Sequence, residues 1–165
     1  MKYLIIYSSK YGATQAYAEM IADQLKGDSQ SQNVADVTLE NLQAADKIIL
    51  GSSIYMGSIG KSMQKFCVKY EELLLAKPLD LFINGLRSGD ELADELAKAY
   101  TEKLRHHASQ QAAFGGKVNF SKLTFMDKKI MKMVSKQEPQ FETFDNSTNL
   151  SLLNEAELIR FAQQI

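Results

Sequence analysis

Seven residues near the amino terminus, Ser8-Ser9-Lys10-Tyr11-Gly12-Ala13-Thr14, have the composition of a site for one anion. Hydroxyls at 8, 9 and 14 can donate, and a helix starting after Gly12 would offer first-turn amides with no partner inside the helix. Those amides and the helix dipole favour negative charge, and successive backbone N–H groups in a tight turn form an anion-holding hollow. No G-x-x-x-x-G-K-[ST] triphosphate loop occurs, and one glycine stands where a dinucleotide fingerprint needs three. A single phosphate monoester, as on a mononucleotide, suits this turn better than a pyrophosphate or triphosphate. An ordinary Ser-capped helix start has the same composition, so the turn alone leaves both readings open.

No acid–base or nucleophilic constellation competes with it. His106 and His107 are adjacent, so on a helix they point about 100° apart, and near a helix end they suit a favourable charge at the dipole's negative pole. Cys67 lies between Met63 and Tyr70 on an apolar stripe and reads as a core residue. As the single cysteine it excludes an internal disulfide, and no metal site is expected. Glu71-Glu72 and Asp94-Glu95 read as solvated helix faces.

The elements that would position the turn alternate along the chain. Tyr3–Tyr7, Lys47–Gly51 and Leu79–Ile83 are short apolar runs that fit buried strands. Val34–Leu39 is a weaker strand, and Ala112–Val118 a strand bent at Gly115-Gly116. Ala16, Met20, Ile21 and Leu25 mark a helix over 13–26, with Gly27 suited to close it. Further helices are expected from Met63 to Leu74, from Leu92 to Tyr100 and fading near His106, over 121–136, and over Leu153–Gln164; 51–60 is a Ser/Gly-rich turn and 137–149 is irregular. Five strands joined by helices predict a parallel sheet covered on both faces, a three-layer α/β/α sandwich. Ligands of such sheets bind beyond the carboxyl ends of the strands, where the strand order reverses.

Length and composition agree. The 165 residues, 45% hydrophobic and 24% charged, make one domain over 1–165 that needs no disulfide or metal staple. Nineteen Lys/Arg against twenty Asp/Glu leave a formal charge of −1, which argues against a nucleic-acid partner. The apolar runs are too short to cross a bilayer, and MKYLIIYSS is too weakly apolar for a signal peptide, so a soluble cytoplasmic protein is expected.

The strand, the S-x-x-G-x-T turn (Ser9, Gly12, Thr14) and the following helix resemble the FMN phosphate loop of flavodoxins. Gly51-Ser52-Ser53-Ile54-Tyr55-Met56-Gly57 and Phe82-Ile83-Asn84-Gly85-Leu86 look like the two loops that hold the flavin ring. Ala113–Val118, with its Gly-Gly pair, and Asp127-Lys128-Lys129-Ile130-Met131-Lys132-Met133 resemble the carboxy-terminal half of menaquinone-dependent protoporphyrinogen oxidases. The resemblance spans nearly the whole chain. It implies a flavodoxin-like fold with a five-stranded parallel sheet in the order 2-1-3-4-5, FMN as cofactor, and hydrogen transfer from a porphyrinogen or other reduced small molecule to a quinone. Three features depart from the family: Tyr11 stands where many flavodoxins carry a hydroxyl or acid, tryptophan is absent, and the charge is near neutral where electron shuttles are strongly acidic.

On that resemblance the cofactor-binding residues are Ser8, Ser9, Lys10, Tyr11, Gly12, Ala13 and Thr14 around the phosphate, Ser53, Ile54, Tyr55, Met56 and Gly57 at the ring, and Asn84, Gly85, Leu86 and Gly115 near its polar edge. Tyr55 or Met56 can lie on the ring by stacking or sulfur contact. Arg87, after the third apolar run, is placed to pair with a substrate carboxylate, for which its planar fork is suited. The chemistry would reside on the flavin, without a catalytic side chain. Two other readings keep the fold: an electron carrier that docks on a redox protein, and an interaction module without flavin. The second lacks a receiver domain's acids, since Ser8-Ser9 and Ser52-Ser53 stand at those positions. Residues 117–136 hold six lysines (117, 122, 128, 129, 132 and 136) and one acid, Asp127. A helix there would set Met126, Ile130, Met133 and Val134 on one face and lysines around the others. It would be either a solvated sheet cover or a peripheral contact with anionic membrane.

Overall fold

The computed structural model describes residues 1–136 and 149–165; the expected irregular segment up to residue 148, with Glu138, Glu142 and Asp145, lies outside them, as does the side chain of Val134. Eight strands are present among the described residues: β1 Lys2–Ser8, β2 Asp28–Asn33, β3 Lys47–Tyr55, β4 Ser58–Ile59, β5 Leu79–Gly85, β6 Gln110–Gly115, β7 Lys117–Val118 and β8 Leu150–Ser151. The helices are α1 Ala13–Gln24, α2 Leu39–Ala44, α3 Lys61–Lys69, α4 Glu71–Leu75, α5 Gly89–Ala99, α6 Glu102–His107, α7 Phe125–Val134 and α8 Glu155–Gln163, with a 3-10 turn over Phe120–Lys122. Five strands pair in parallel in the order β2-β1-β3-β5-β6, which is 2-1-3-4-5 among the parallel strands, and β4 folds back antiparallel on β3. This is the three-layer α/β/α sandwich that the alternation predicts.

Side-chain alternation explains the two cores. Leu4, Ile6, Ile48, Leu50, Leu79, Leu81 and Ile83 face one side and pack under Leu42, Met63, Phe66, Leu74, Leu92 and Leu104 of the helices there. Ile5, Tyr7, Ile49, Phe82 and Phe114 face the other, against Tyr17, Ala18 and Ile21 of α1 and Leu158, Phe161 and Ala162 of α8. Gly51 sits within β3, where a Cβ would come within 2.0 Å of the Phe82 ring, so it is a packing glycine and not a turn residue.

Several boundaries differ from expectation. The second strand is the polar DSQSQN run, not Val34–Leu39, and Leu39 begins α2 behind a Thr38–Asn41 capping box. An edge strand needs only its backbone pairing to β1 and one partly covered face, so it carries no apolar run. Gly27 does not close α1, which ends at Leu25; a Cβ on it would meet the Met1 carbonyl at 2.8 Å. The helix expected from Met63 breaks at Tyr70, and the one from Leu92 breaks before the Thr101 cap. At Gly115-Gly116 the chain leaves the sheet, and β7 pairs antiparallel with β8. That pair, Phe120 and Met131 of α7 form a third, small core, against which Leu86 and Leu123 pack.

Candidate functional site

β1, β3, β5 and β6 all end on one side of the sheet, and the order reverses between β1 and β3. Beyond those ends lies a cavity of about 430 Å³, within the range of small-molecule sites. Of the residues singled out in the sequence, Ser9, Lys10, Tyr11, Ala13, Thr14, Ser53, Ile54, Tyr55, Met56, Gly57, Asn84, Gly85, Leu86 and Arg87 line it. Ser8, Gly12 and Gly115 do not: Ser8 Oγ lies 3.0 Å from Ser62 Oγ, Gly12 is the cap of α1, and a Cβ on Gly115 would strike the Leu152 carbonyl.

The first loop presents an open helix end. Gly12 has φ 92°, α1 has no side-chain cap, and its first turn holds no acid. Thr38, Thr101, Thr124 and Asn154 cap their own helices, while α3, α4 and α5 are uncapped like α1. The Gly12 amide donates to Ser9 Oγ at 3.0 Å, which curls the loop over the helix end. Thr14 is fully buried, and its hydroxyl donates to Asn84 Oδ1 at 2.8 Å, tying α1 to the end of β5.

The second loop is a two-residue hairpin, with Tyr55 paired to Ser58 across it. Met56 (φ 52°) and Gly57 (φ 75°) both take positive φ, the requirement of the type I′ turn that matches strand twist. A Met there is held in a conformation costing about 1 kcal/mol or more, and its side chain stands 76% exposed. β3 thus runs to Tyr55, and the turn is tighter than the 51–60 stretch expected.

A buried carboxylate that sequence reasoning did not assign to the site joins these loops. Asp127, 3% exposed on the first turn of α7, accepts from Lys10 Nζ at 2.9 Å, Tyr55 Oη at 2.6 Å, Thr124 Oγ1 at 2.6 Å and the Tyr11 hydroxyl. The Lys10 ammonium also lies 4.0 Å from the Tyr55 ring centroid. Desolvation lowers the Lys10 pKa, but Asp127 and Tyr55 outweigh it and hold the ammonium above its ordinary value. Two signals pointed to Asp127: it is the lone acid among six lysines, and it stands three residues after a capping threonine.

The remaining walls come from Glu95, Gly116, Lys117, Val118, Leu123, Ile130, Met131 and Met133. Arg87 is held by α5: Nη1 donates to Glu91, and Nε lies 3.4 Å from Glu95 Oε1. Lys117, exposed on β7, has no ion pair among the described residues. Among those residues no group of three His, Cys, Asp or Glu could hold a metal ion, and no helix is long and apolar enough to cross a membrane.

The family model described as flavodoxin domain matches residues 4–144. The chain belongs to the flavodoxin domain family. In fold this flavodoxin-domain protein is similar to a flavodoxin of Streptococcus pneumonia TIGR4, with TM-score 0.58, 16% identity, and 99% of this chain and 96% of that one covered. The two-electron reduced Megasphaera elsdenii flavodoxin matches with TM-score 0.54 and 18% identity over 68% of this chain and 84% of that one. Among curated proteins, the Escherichia coli (strain K12) protoporphyrinogen IX dehydrogenase [quinone] is 24% identical over 144 residues, 82% of this chain and 80% of the relative. The family's cofactor is FMN and its function is redox chemistry, as oxidoreductase or as flavodoxin. The residues present fit FMN. A Cβ placed on Gly12 or Gly57 meets nothing within 4 Å, so open space faces both loops, and the uncapped α1 end supplies donors for a phosphate.

Proposed function

We propose that this flavodoxin-domain protein is an FMN-dependent oxidoreductase that takes hydrogen from a large, flat, largely apolar reduced molecule and delivers it to a quinone. The observation that carries this reading is the roof of the cavity. Val118, Leu123, Ile130, Met131 and Met133 extend it beyond the cofactor loops. A carrier that only passes electrons to a protein needs an open flavin edge; a roofed apolar cavity suits a small molecule. Methionine in that roof adapts to bulky ligands. The name of the Escherichia coli relative, protoporphyrinogen IX dehydrogenase [quinone], supplies a substrate and acceptor of this kind for that protein.

In this reading the first-turn amides of α1, with Ser9, Lys10 and Ala13, hold the phosphate; Tyr55, Met56 and Gly57 bear on the ring, and Asn84, Gly85 and Leu86 face its polar edge. FMN, when bound, supplies acceptance and release of hydrogen. The protein excludes water with the α7 roof and orients the substrate. Arg87, beside Glu91 and Glu95, and exposed Lys117 are cations of the cavity wall that a substrate carboxylate would meet. Exposed Met56, Phe125, Met126 and Met133 stand near exposed Lys128, Lys129, Lys132 and Lys136, a surface suited to rest peripherally on the anionic inner face of a cell membrane, where a quinone dissolves.

The flavodoxin structures favour a second reading, an electron carrier in the cytoplasm with a redox-protein partner. Steady turnover separates the two. The FMN-loaded protein should oxidise a porphyrinogen continuously with a menaquinone analogue, whereas a carrier stops after one reduction of its flavin. FMN should bind more tightly than riboflavin; equal affinity would remove the α1 phosphate site from this reading. Anionic vesicles at low salt should co-sediment the protein, less so as salt rises. Lys128, Lys129 and Lys132 changed to glutamine should abolish that binding and leave FMN bound. No sedimentation at low salt would assign α7 to the fold alone.

A further inference from the structure

We propose that Asp127 is a positioning residue of the cofactor site, its one buried carboxylate fastening the α7 roof to both flavin-facing loops through Tyr11, Tyr55 and Lys10. The cofactor part rests on the FMN reading above; the fastening itself does not.

A carboxylate offers about four lone-pair sites, and here they are filled. Oδ1 accepts from Lys10 and Tyr55, while Oδ2 accepts from Thr124 and Tyr11, with Lys10 Nζ also at 3.1 Å from it. Every one of these neighbours is a donor, so both oxygens are already engaged by groups of the protein. Asp127 is therefore built to hold groups. What it holds are three residues from two chain segments that are distant in sequence: Lys10 and Tyr11 lie 117 and 116 residues away, and Tyr55 lies 72 away.

The direction of hold is set from α7. Thr124 caps that helix, accepting from the Asp127 amide at 3.2 Å while donating to its carboxylate. The carboxylate is thus fixed on its own helix before it meets the loops. A tyrosine's hydroxyl lies on its ring axis, so pinning it fixes where that axis points, and for Tyr55 the Lys10 ammonium bears on the ring face as well. Tyr11 and Tyr55 both line the cavity, and the Lys10 ammonium is held between the carboxylate and the Tyr55 ring. Roof, phosphate loop and ring loop consequently share one fixed point. A residue that only capped α7 would satisfy Thr124 and leave the two phenols to water.

The test uses the full chain, with and without FMN, in five forms: parent, Asp127→Asn, Tyr55→Phe, Tyr11→Phe/Tyr55→Phe, and that double variant carrying Asp127→Asn. Without FMN, amide hydrogen exchange should quicken by at least about tenfold, the scale of one charge-assisted hydrogen bond, in α7 and in the 53–57 loop together for Asp127→Asn. Tyr55→Phe should loosen the same two segments to a smaller extent, and it carries the test if Asp127→Asn does not fold. With FMN, Asp127→Asn should weaken binding by about tenfold and alter the visible circular dichroism of the flavin. In the double-phenylalanine background it should add little. Faster exchange confined to α7, parental dichroism, or fully additive effects would each reduce Asp127 to a helix cap and overturn the proposal. Should the parent not bind FMN, the functional reading fails, and the exchange measurements still decide the fastening.

Discussion

Thr14 and Asn84 lie 70 residues apart and meet in a hydrogen bond of 2.8 Å with both side chains buried. Thr14 belongs to the phosphate loop by its position and to the core by its surroundings. Thr14→Val keeps the shape and removes the donor, leaving the Asn84 carbonyl oxygen without it. The apoprotein should lose about 1–3 kcal/mol of stability in urea unfolding, and Thr14→Ser should recover most of it. Parental stability in Thr14→Val would mean that Asn84 finds another donor. Any loss of FMN affinity should appear beside this loss of stability, since displacing Asn84 disturbs the ring's polar edge as well. Arg87 likewise has neighbours that the sequence did not show. Its guanidinium, read from the sequence as a partner for substrate, lines the cavity and also pairs with Glu91 and Glu95 of α5, the helix that follows it. Loop position alone does not reveal such neighbours.

The elements that make the site are irregular where the ligand would come. The β3–β4 hairpin places Met56 in a left-handed conformation at the turn position that Asn serves best. Met56→Asn should therefore raise apoprotein stability by roughly 0.5–1 kcal/mol while weakening binding at the cavity mouth, where the thioether is lost. Thermal unfolding and FMN titration of the same variant check both signs. A stability unchanged or lowered would show that Met56 gains from contacts what it loses in backbone conformation. α1, like α3, α4 and α5, has no side-chain cap, and its start is joined to a loop that lines the cavity. β7 and β8, two residues each, pair with one another outside the main sheet and back the third core beneath α7. The Gly115-Gly116 break that starts this excursion was legible as a bend. Its destination was not, because antiparallel pairing with residues 150–151 depends on a segment more than thirty residues along the chain.

At the scale of the molecule, burial sets the alkaline limit of stability. Burial pushes Tyr17 up to about 12 from 10.0 and Cys67 up to about 12 from 9.0. Both groups are neutral when protonated and ionise first in the unfolded chain. Their contribution is complete below the unfolded values and disappears as pH rises through the folded ones. Urea midpoints should therefore fall between about pH 9 and 12, and Cys67→Ala should flatten the first part of that fall; an unchanged slope would assign the loss to other groups. The sequence by itself determined the parallel sandwich, the anion-ready turn after β1 and the loops after β3 and β5, because strands buried on both faces, helix starts and tight turns each depend on residues close in the chain. Tertiary structure alone decided that a polar run is the second strand, since an edge needs only pairing to β1. It also decided that Thr14 meets Asn84, and that Asp127 closes the site. These are contacts between residues 70 to 117 positions apart, and their energies depend on which elements the sheet order brings together, which no local pattern records.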